Sequence, residues 1–297
     1  MKLFITGATG FLGYHIANIA VNEGHEILCL RRNISISLFD KIVEERIGWL
    51  NNDDCNWKQK LADFQPDVLI HCAWSGVRGS DRDSHEIQQK NIEMSRELFG
   101  AYPYKQIISI GSQAEYGYYK TMVSEEHPLN PENEYGKAKV NVLNCLQEYA
   151  KIHKIEWQWI RIFTVFGEKQ KAGLIYSFTK DCLNGAKIFK TSPGLQEYSY
   201  MYSFDFAKAI MQVVGVKGQS GIYNLSQPFE VHTNRDILEN IKNILHSNIE
   251  IRYGAFEYPS NQVMLMNGST NKFVQAFGII PHINFQFALT NTIDSYK

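Results

Sequence analysis

Tyr135-Gly-Lys-Ala-Lys139 sets a phenol and an ammonium four residues apart. On a helix that spacing puts both on one face, where a cation can lower the phenol pKa and make it a usable acid or base near neutral pH. The chain carries 16 tyrosines, and the same spacing recurs at Tyr116/Lys120 and Tyr176/Lys180. Only Tyr135 opens a predicted amphipathic helix, behind Pro128 and Pro131 and after the strand Gln106-Ile-Ile-Ser109-Ile-Gly111-Ser112. Ser112, at the end of that strand, falls where an open α/β sheet binds its ligands, although a strand-end serine is also an ordinary turn residue.

A second cluster addresses a polyphosphate. Lys2 to Gly13 reads Lys-Leu-Phe-Ile-Thr-Gly7-Ala-Thr9-Gly10-Phe11-Leu12-Gly13, a short apolar strand running into three glycines three apart and then a helical pattern. Glycines in this arrangement allow a tight turn, close approach of backbone N–H groups to a pyrophosphate, and close packing of the helix on the sheet. We expect Gly7, Thr9, Gly10, Phe11, Leu12 and Gly13 to hold a dinucleotide. NAD-binding folds carry an acid after the second strand for the adenosine ribose, but here the chain reads Cys29-Leu30-Arg31-Arg32-Asn33. Two guanidiniums without a carboxylate suit a 2′-phosphate, so NADP(H) is favoured and NAD(H) remains the alternative.

These groups need a frame, and strand and helix patterns alternate to supply it. Residues 3–6, 26–30, 46–50, 68–71, 106–110 and 157–163 read as buried parallel strands, with helical patterns at 11–22, 56–64, 84–100 and 135–152 between them. The expected fold is α/β, a doubly wound parallel sheet of Rossmann type. Alternation stops after Gly167; 172–185 is helical and 222–225 returns a strand to the sheet. We therefore expect a dinucleotide-binding domain of 1–168 plus about 203–228, and a smaller interleaved α/β substrate lobe of about 169–202 plus 229–297.

A net charge of −1 and pI near 6.8 give no global attraction to nucleic acid or a membrane surface. No apolar run reaches membrane-spanning length and a strand begins at residue 2, so a cytoplasmic chain is expected. Cys29, Cys55, Cys72, Cys145 and Cys182 form no Cys-x-x-Cys pair and read as structural thiols. The nine histidines show no clustered ligand spacing, so no metal site is expected.

Several motifs occur together in one order: the glycine loop, His71-Cys72-Ala73-Trp74, Asn91, Ser112-Gln-Ala-Glu-Tyr116-Gly117, Tyr135/Lys139, and Arg161-Ile-Phe-Thr164-Val-Phe166-Gly167. In this the chain resembles the extended short-chain dehydrogenases/reductases, and more narrowly their nucleotide-sugar epimerase, dehydratase and reductase branch. The resemblance spans the chain and is strongest up to residue 167. It implies a catalytic triad of Ser112, Tyr135 and Lys139, with Asn91 opening a helix and holding a distortion and a water near the lysine. It also implies that Cys72, Ala73 and Trp74 flank the cofactor, and that Trp74, Ser75, Gln113, Ala114, Thr164, Gln196 and Tyr198 face a nucleotide-sugar substrate. A homodimer is implied too, helix 135–152 pairing with 84–100 in a four-helix bundle. Val142, Leu143, Leu146, Tyr149 and Ala150 give that helix an apolar arc wider than sheet packing should need.

Departures from the family pattern narrow the chemistry. Members that remove water across the sugar carry an acidic pair directly after the triad hydroxyl; here Gln113 and Ala114 stand there, and Glu115 lies one residue late. The family's usual Asn is Thr164, and arginines that hold the sugar-nucleotide diphosphate are replaced by Tyr198 and by Tyr258 and Ser260 around Pro259. Lys169, Lys171, Lys190 and Arg252 are candidates to compensate. The favoured expectation is an NADPH-dependent 4-ketoreductase of a nucleotide-linked keto-deoxysugar in surface-polysaccharide biosynthesis. An NAD-dependent 4-epimerase and a non-catalytic NADP-sensing scaffold are the alternatives.

Overall fold

The computed structural model describes residues 1–32 and 38–297; Asn33, noted above after the second predicted strand, lies outside the described residues. The first half alternates β1 (Lys2–Thr6), α1 (Phe11–Asn22), β2 (Glu26–Arg31), α2 (Lys41–Glu44), β3 (Ile47–Asn51), α3 (Trp57–Phe64), β4 (Val68–His71), α4 (His85–Phe99), β5 (Gln106–Ser112), α5 (Glu134–His153) and β6 (Glu156–Ile162). The second half holds β7 (Thr164–Phe166), α6 (Leu174–Leu183), β8 (Ile188–Lys190), β9 (Glu197–Tyr202), α7 (Ser203–Val213), β10 (Gly221–Leu225), β11 (Val231–Thr233), α8 (Asn234–Ile244), β12 (Glu250–Arg252), β13 (Leu265–Met266), α9 (Asn271–Phe277) and α10 (Phe285–Asp294).

Leu3, Phe4 and Ile5, Val68 to Ile70, and Ile107 and Ile108 are all sealed from solvent, as strands covered by helices on both faces must be. They sit in a seven-stranded parallel sheet ordered β3-β2-β1-β4-β5-β6-β10. Strand order reverses between β1 and β4, which opens a crevice at their carboxyl ends. The loops carrying Gly7 and Ala73 leave the sheet on either side of it. His71 bridges Thr6 Oγ1 at 2.8 Å and Ser95 Oγ at 2.9 Å, tying β1, β4 and α4 together below the crevice. Burial pushes its imidazole down to about 3, so it serves as a neutral strut.

The smaller lobe is a four-stranded sheet in which β9 pairs with β7, β11 and β13, with β8 and β12 forming a separate pair. Two boundaries differ from the sequence expectation. β7, expected in the dinucleotide half, pairs with β9 of the lobe. α9, expected in the lobe, packs on β10, and Phe273 joins Ile160 and Tyr223 in the main core. α5 also departs from expectation: Val142, Leu143, Leu146 and Ala150 are buried within this chain, and the first three pack with Leu69, Ile107 and Trp159. Tyr149, the remaining residue of that arc, is partly buried against the same cluster. Among the described residues no cysteine is paired, no cluster of potential metal ligands forms, and no helix is long and apolar enough to cross a membrane.

Candidate active site

The glycine loop is a cradle that a side chain would fill. Gly7 has φ +79°, and a Cβ there would lie 2.7 Å from the Ala73 nitrogen; one on Gly13 would lie 2.2 Å from the Gly7 carbonyl oxygen. Gly10 N donates to Gly7 O at 2.9 Å, which closes the turn. α1 then begins with no side-chain cap and no acid in its first turn, leaving its amides to an anion. Thr9, Gly10, Arg31, Arg32, Cys72, Ala73, Trp74 and Ser75 line one cleft with Gly7. These residues fit a dinucleotide: uncapped backbone amides suit the pyrophosphate, and Arg31 and Arg32 line the same cleft. Phe11 and Leu12 line no part of this cleft with their side chains; they supply backbone at the helix start, and Phe11 packs edge-on against His15. Arg31 is committed to protein contacts. Its Nε donates to Asn51 Oδ1 at 3.3 Å, its guanidinium lies 4.8 Å from the Trp49 ring, and Glu44 is 3.9 Å away.

Tyr135 is the second residue of α5, whose N-terminus is capped by Asn133 accepting from Gly136 N at 2.8 Å. Lys139 follows one turn later, and both side chains are buried with Ser112 at the end of β5. Burial pushes the Tyr135 phenol up; a hydrogen bond with the Ser112 hydroxyl and the Arg82 guanidinium pull it down, while Glu115 pushes it up. Arg82 lies 4.5 Å from the Tyr135 ring centroid. Lys139 instead donates to the Ile110 carbonyl oxygen at 2.7 Å and sits 3.5 Å from the Trp74 ring centroid. Burial pushes its ammonium down to about 7 against the raising effect of Glu115. The expectation that Lys139 is the cation tuning Tyr135 is therefore corrected: the guanidinium facing the phenol ring is Arg82, which the four-residue spacing gave no means of finding.

The other Tyr-x-x-x-Lys pairs are structural. Tyr116 OH donates to Asn224 Oδ1 at 2.7 Å. Tyr176 does lie on a helix, α6, but it packs against Tyr296, and Lys180 Nζ donates to the Tyr296 carbonyl oxygen at 3.0 Å.

Glu115 is buried beneath Ser112. It accepts from Ser112 N at 2.7 Å, from Trp159 Nε1 at 2.9 Å and from Arg161 Nε at 2.7 Å, and Arg161 also donates to Tyr116 OH at 3.0 Å. The carboxylate is a brace for the Ser112 turn and cannot reach a substrate.

Asn91 lies inside α4 rather than at its opening. Its Oδ1 accepts from Ser75 N at 2.9 Å, and its Nδ2 donates to Ser75 O at 2.8 Å and to Gln88 Oε1 at 3.1 Å. These bonds occupy the amide and pin the loop after β4, and α4 runs regularly through it. Trp74 Nε1 also donates to Gln88, at 2.9 Å, and its ring meets Tyr135 edge-on.

A cavity of about 300 Å³ between the main sheet and the lobe includes Thr164 and Tyr198 among its walls. Ala114 does not face it: the residue is buried, its carbonyl oxygen 2.6 Å from where a Cβ on Gly136 would stand. Gln113 Oε1 accepts from Tyr119 OH at 3.2 Å, and Gln196 Oε1 accepts from Tyr258 OH at 2.9 Å, so both amides are engaged within the protein. The proposed compensating cations lie elsewhere. Lys169 is near Tyr14, Lys190 is on β8, Arg252 pairs with Glu250 at 2.8 Å, and Lys171 is absent from the cavity wall. Among the described residues the charged side chain on that wall is Arg78.

Residues 3–226 match the NAD dependent epimerase/dehydratase family. The chain belongs to that family. It is an enzyme of the family's NAD(P)-dependent oxidoreductase type, with the parallel sheet that family members share. It is 25% identical over 285 residues to CDP-abequose synthase of Salmonella muenchen, covering 91% of this chain and 89% of that one. It is 23% identical over 244 residues to dTDP-6-deoxy-L-talose 4-dehydrogenase (NAD(+)) of Aggregatibacter actinomycetemcomitans, covering 75% and 83% of the two chains. In fold it is similar to the UDP-N-acetylglucosamine 4-epimerase of Methanobrevibacter ruminantium, with a TM-score of 0.88, 21% identity, and 99% and 97% of the two chains covered.

Proposed function

We propose that this member of the epimerase/dehydratase family is an NADPH-dependent 4-ketoreductase acting on a nucleotide-linked keto-deoxysugar. The observation that carries the reading is the fate of the acid nearest Ser112. Glu115 is sealed in its pair with Arg161 at 2.7 Å, and Gln113 and Ala114 have no proton to exchange. A centre of Ser112, Tyr135 and Lys139 alone can serve one carbonyl oxygen, whereas eliminating water needs a further acid and base. Similarity to a CDP-abequose synthase and a 4-dehydrogenase along most of the chain supports the same class.

The glycine cleft would hold NADPH, which would supply the hydride for the ketone carbon. The protein's own work is at the oxygen. Ser112 donates a hydrogen bond to the ketone oxygen and orients it; Tyr135 releases its phenolic proton to that oxygen as the C–O bond becomes single, and water restores the proton. Arg82 favours the tyrosinate that remains, and the first-turn position of Tyr135 on α5 adds the helix dipole to that effect. Lys139 lies against Trp74 beside Tyr135, and it would hold the nicotinamide ribose of a bound cofactor.

The test is to incubate the protein and NADPH with a panel of CDP-, dTDP- and UDP-linked 4-keto-6-deoxysugars. NADPH oxidation in step with loss of the ketone is expected. Interconversion of a non-keto nucleotide sugar with its 4-epimer, without net cofactor oxidation, would instead establish a 4-epimerase. The engagement of Arg31 by Asn51 and Trp49 keeps that second reading alive, since it leaves Arg32 as the main 2′-phosphate ligand.

A further inference from the structure

We propose that Arg78 is the residue that grips the diphosphate of the substrate, a recognition role supplied from the loop after β4. The proposal rests on the nucleotide-sugar reading above and names the group that makes it work. Arg78 stands on the wall of the 300 Å³ cavity that also includes Thr164, Tyr198, Tyr200 and Asn234. The Tyr198 hydroxyl accepts from Gln262 Nε2 at 2.7 Å and the Tyr200 hydroxyl donates to Asn234 Oδ1 at 2.8 Å, and no carboxylate lines the wall among the described residues.

Arg78 is exposed on the surface of the protein, yet enough of its guanidinium is withdrawn from water to push its pKa down, and the charged or titratable group that acts on it is the Tyr296 phenol rather than an acid. Its Nη2 lies 4.0 Å from where a Cβ on Gly173 would stand. Gly173, at φ +97°, is the N-cap of α6, which starts with no side-chain cap and no acid in its first turn. A cation held beside the positive end of a helix, with no acid to offset either, is an arrangement that an anion would stabilise. A guanidinium fork matches two phosphate oxygens at once.

Loop geometry connects this handle to the chemistry. Residues 74–83 bring Trp74 edge-on to Tyr135 with ring centroids 6.0 Å apart, and Arg82 over the same ring at 4.5 Å, while Arg78 turns to the cavity. A hexose bonded to a diphosphate at C1 separates C4 from the phosphates by one ring, so a single loop can hold the anionic end while the ketone meets Tyr135. Asn91, bonded to both backbone groups of Ser75, and Gln88, donating to Gly76 O at 2.9 Å, fix the start of that loop.

The experiment is calorimetric titration of CDP, UDP and dTDP, with the matching nucleosides as controls, into wild type, Arg78→Gln and Arg78→Lys, all saturated with NADP⁺ so that the cofactor cleft is blocked. At least one diphosphate should bind wild type and weaken by about 10- to 100-fold in Arg78→Gln. Arg78→Lys should retain part of the affinity, and NADP⁺ should titrate equally into all three. Equal diphosphate affinity in wild type and Arg78→Gln overturns the assignment, as does a wild type that binds no diphosphate. Keto-sugar reduction is scored separately. Turnover with an unchanged KM in Arg78→Gln removes the Arg78 role and leaves the reductase standing; diphosphate binding lost in Arg78→Gln, without reduction of any keto sugar, keeps Arg78 and removes the reductase.

Discussion

The Arg82 guanidinium lies 4.5 Å from the centre of the Tyr135 ring, whereas the Lys139 ammonium is 5.8 Å from it and turned onto Trp74. Removing the nearer cation should raise the Tyr135 pKa. A reductase needs the protonated phenol, so its rate falls as pH rises through that pKa, and Arg82→Gln should move the alkaline limb of kcat/KM upward by roughly half to one pH unit. Arg82→Lys should restore most of the shift. An unmoved limb in Arg82→Gln, with activity retained, would show that the contact has no electrostatic role.

Tyr135→Phe deletes the proton-transferring oxygen and keeps the ring that packs against Trp74. Turnover should fall by about 10²–10⁴-fold, with unchanged circular dichroism and NADPH affinity. A near-normal rate on an identified ketone would remove Tyr135 from the mechanism.

Glu115→Gln should act on stability first. It leaves Arg161 charged and buried without its counterion, a change that costs about 3–5 kcal/mol, read as a lower denaturation midpoint. A midpoint within error of wild type would mean the pair is not the brace described above.

Lys139 sets a pH dependence for the cofactor-free protein. Its folded pKa, about 7, lies below that of a free lysine. The unfolded chain therefore holds one more proton than the folded one between about pH 7 and 10, and this group's contribution to stability rises with pH across that window. Below it, the full cost of a buried charge is present. Lys139→Met should therefore gain more in Tm over wild type at pH 6 than at pH 9. A difference independent of pH would contradict the assigned burial of the charge.

Cofactor choice separates two neighbours. Arg31 is held by Asn51 and Trp49 while Arg32 lines the same cleft, so Arg32→Ala should shrink the preference for NADPH over NADH more than Arg31→Ala does. Calorimetry on both variants checks this, and equal affinities in the wild type would withdraw the NADP preference.

Local chemistry made much of this legible in the sequence. Apolar runs bounded by glycine dictate buried parallel strands, three glycines three apart dictate a turn that brings backbone to a phosphate, and a four-residue spacing on a helix dictates that Tyr135 and Lys139 share a face. All of these depend on neighbours in the chain. What only the tertiary structure decided depends on residues far apart in sequence. Which cation faces Tyr135 was set by a loop more than fifty residues upstream, anchored through Asn91. Glu115 became a brace because Arg161 and Trp159 meet it from β6. The apolar arc of α5 went to the sheet, and α9 to β10, because burial is settled by what packs opposite, and a single sequence records one side of each contact.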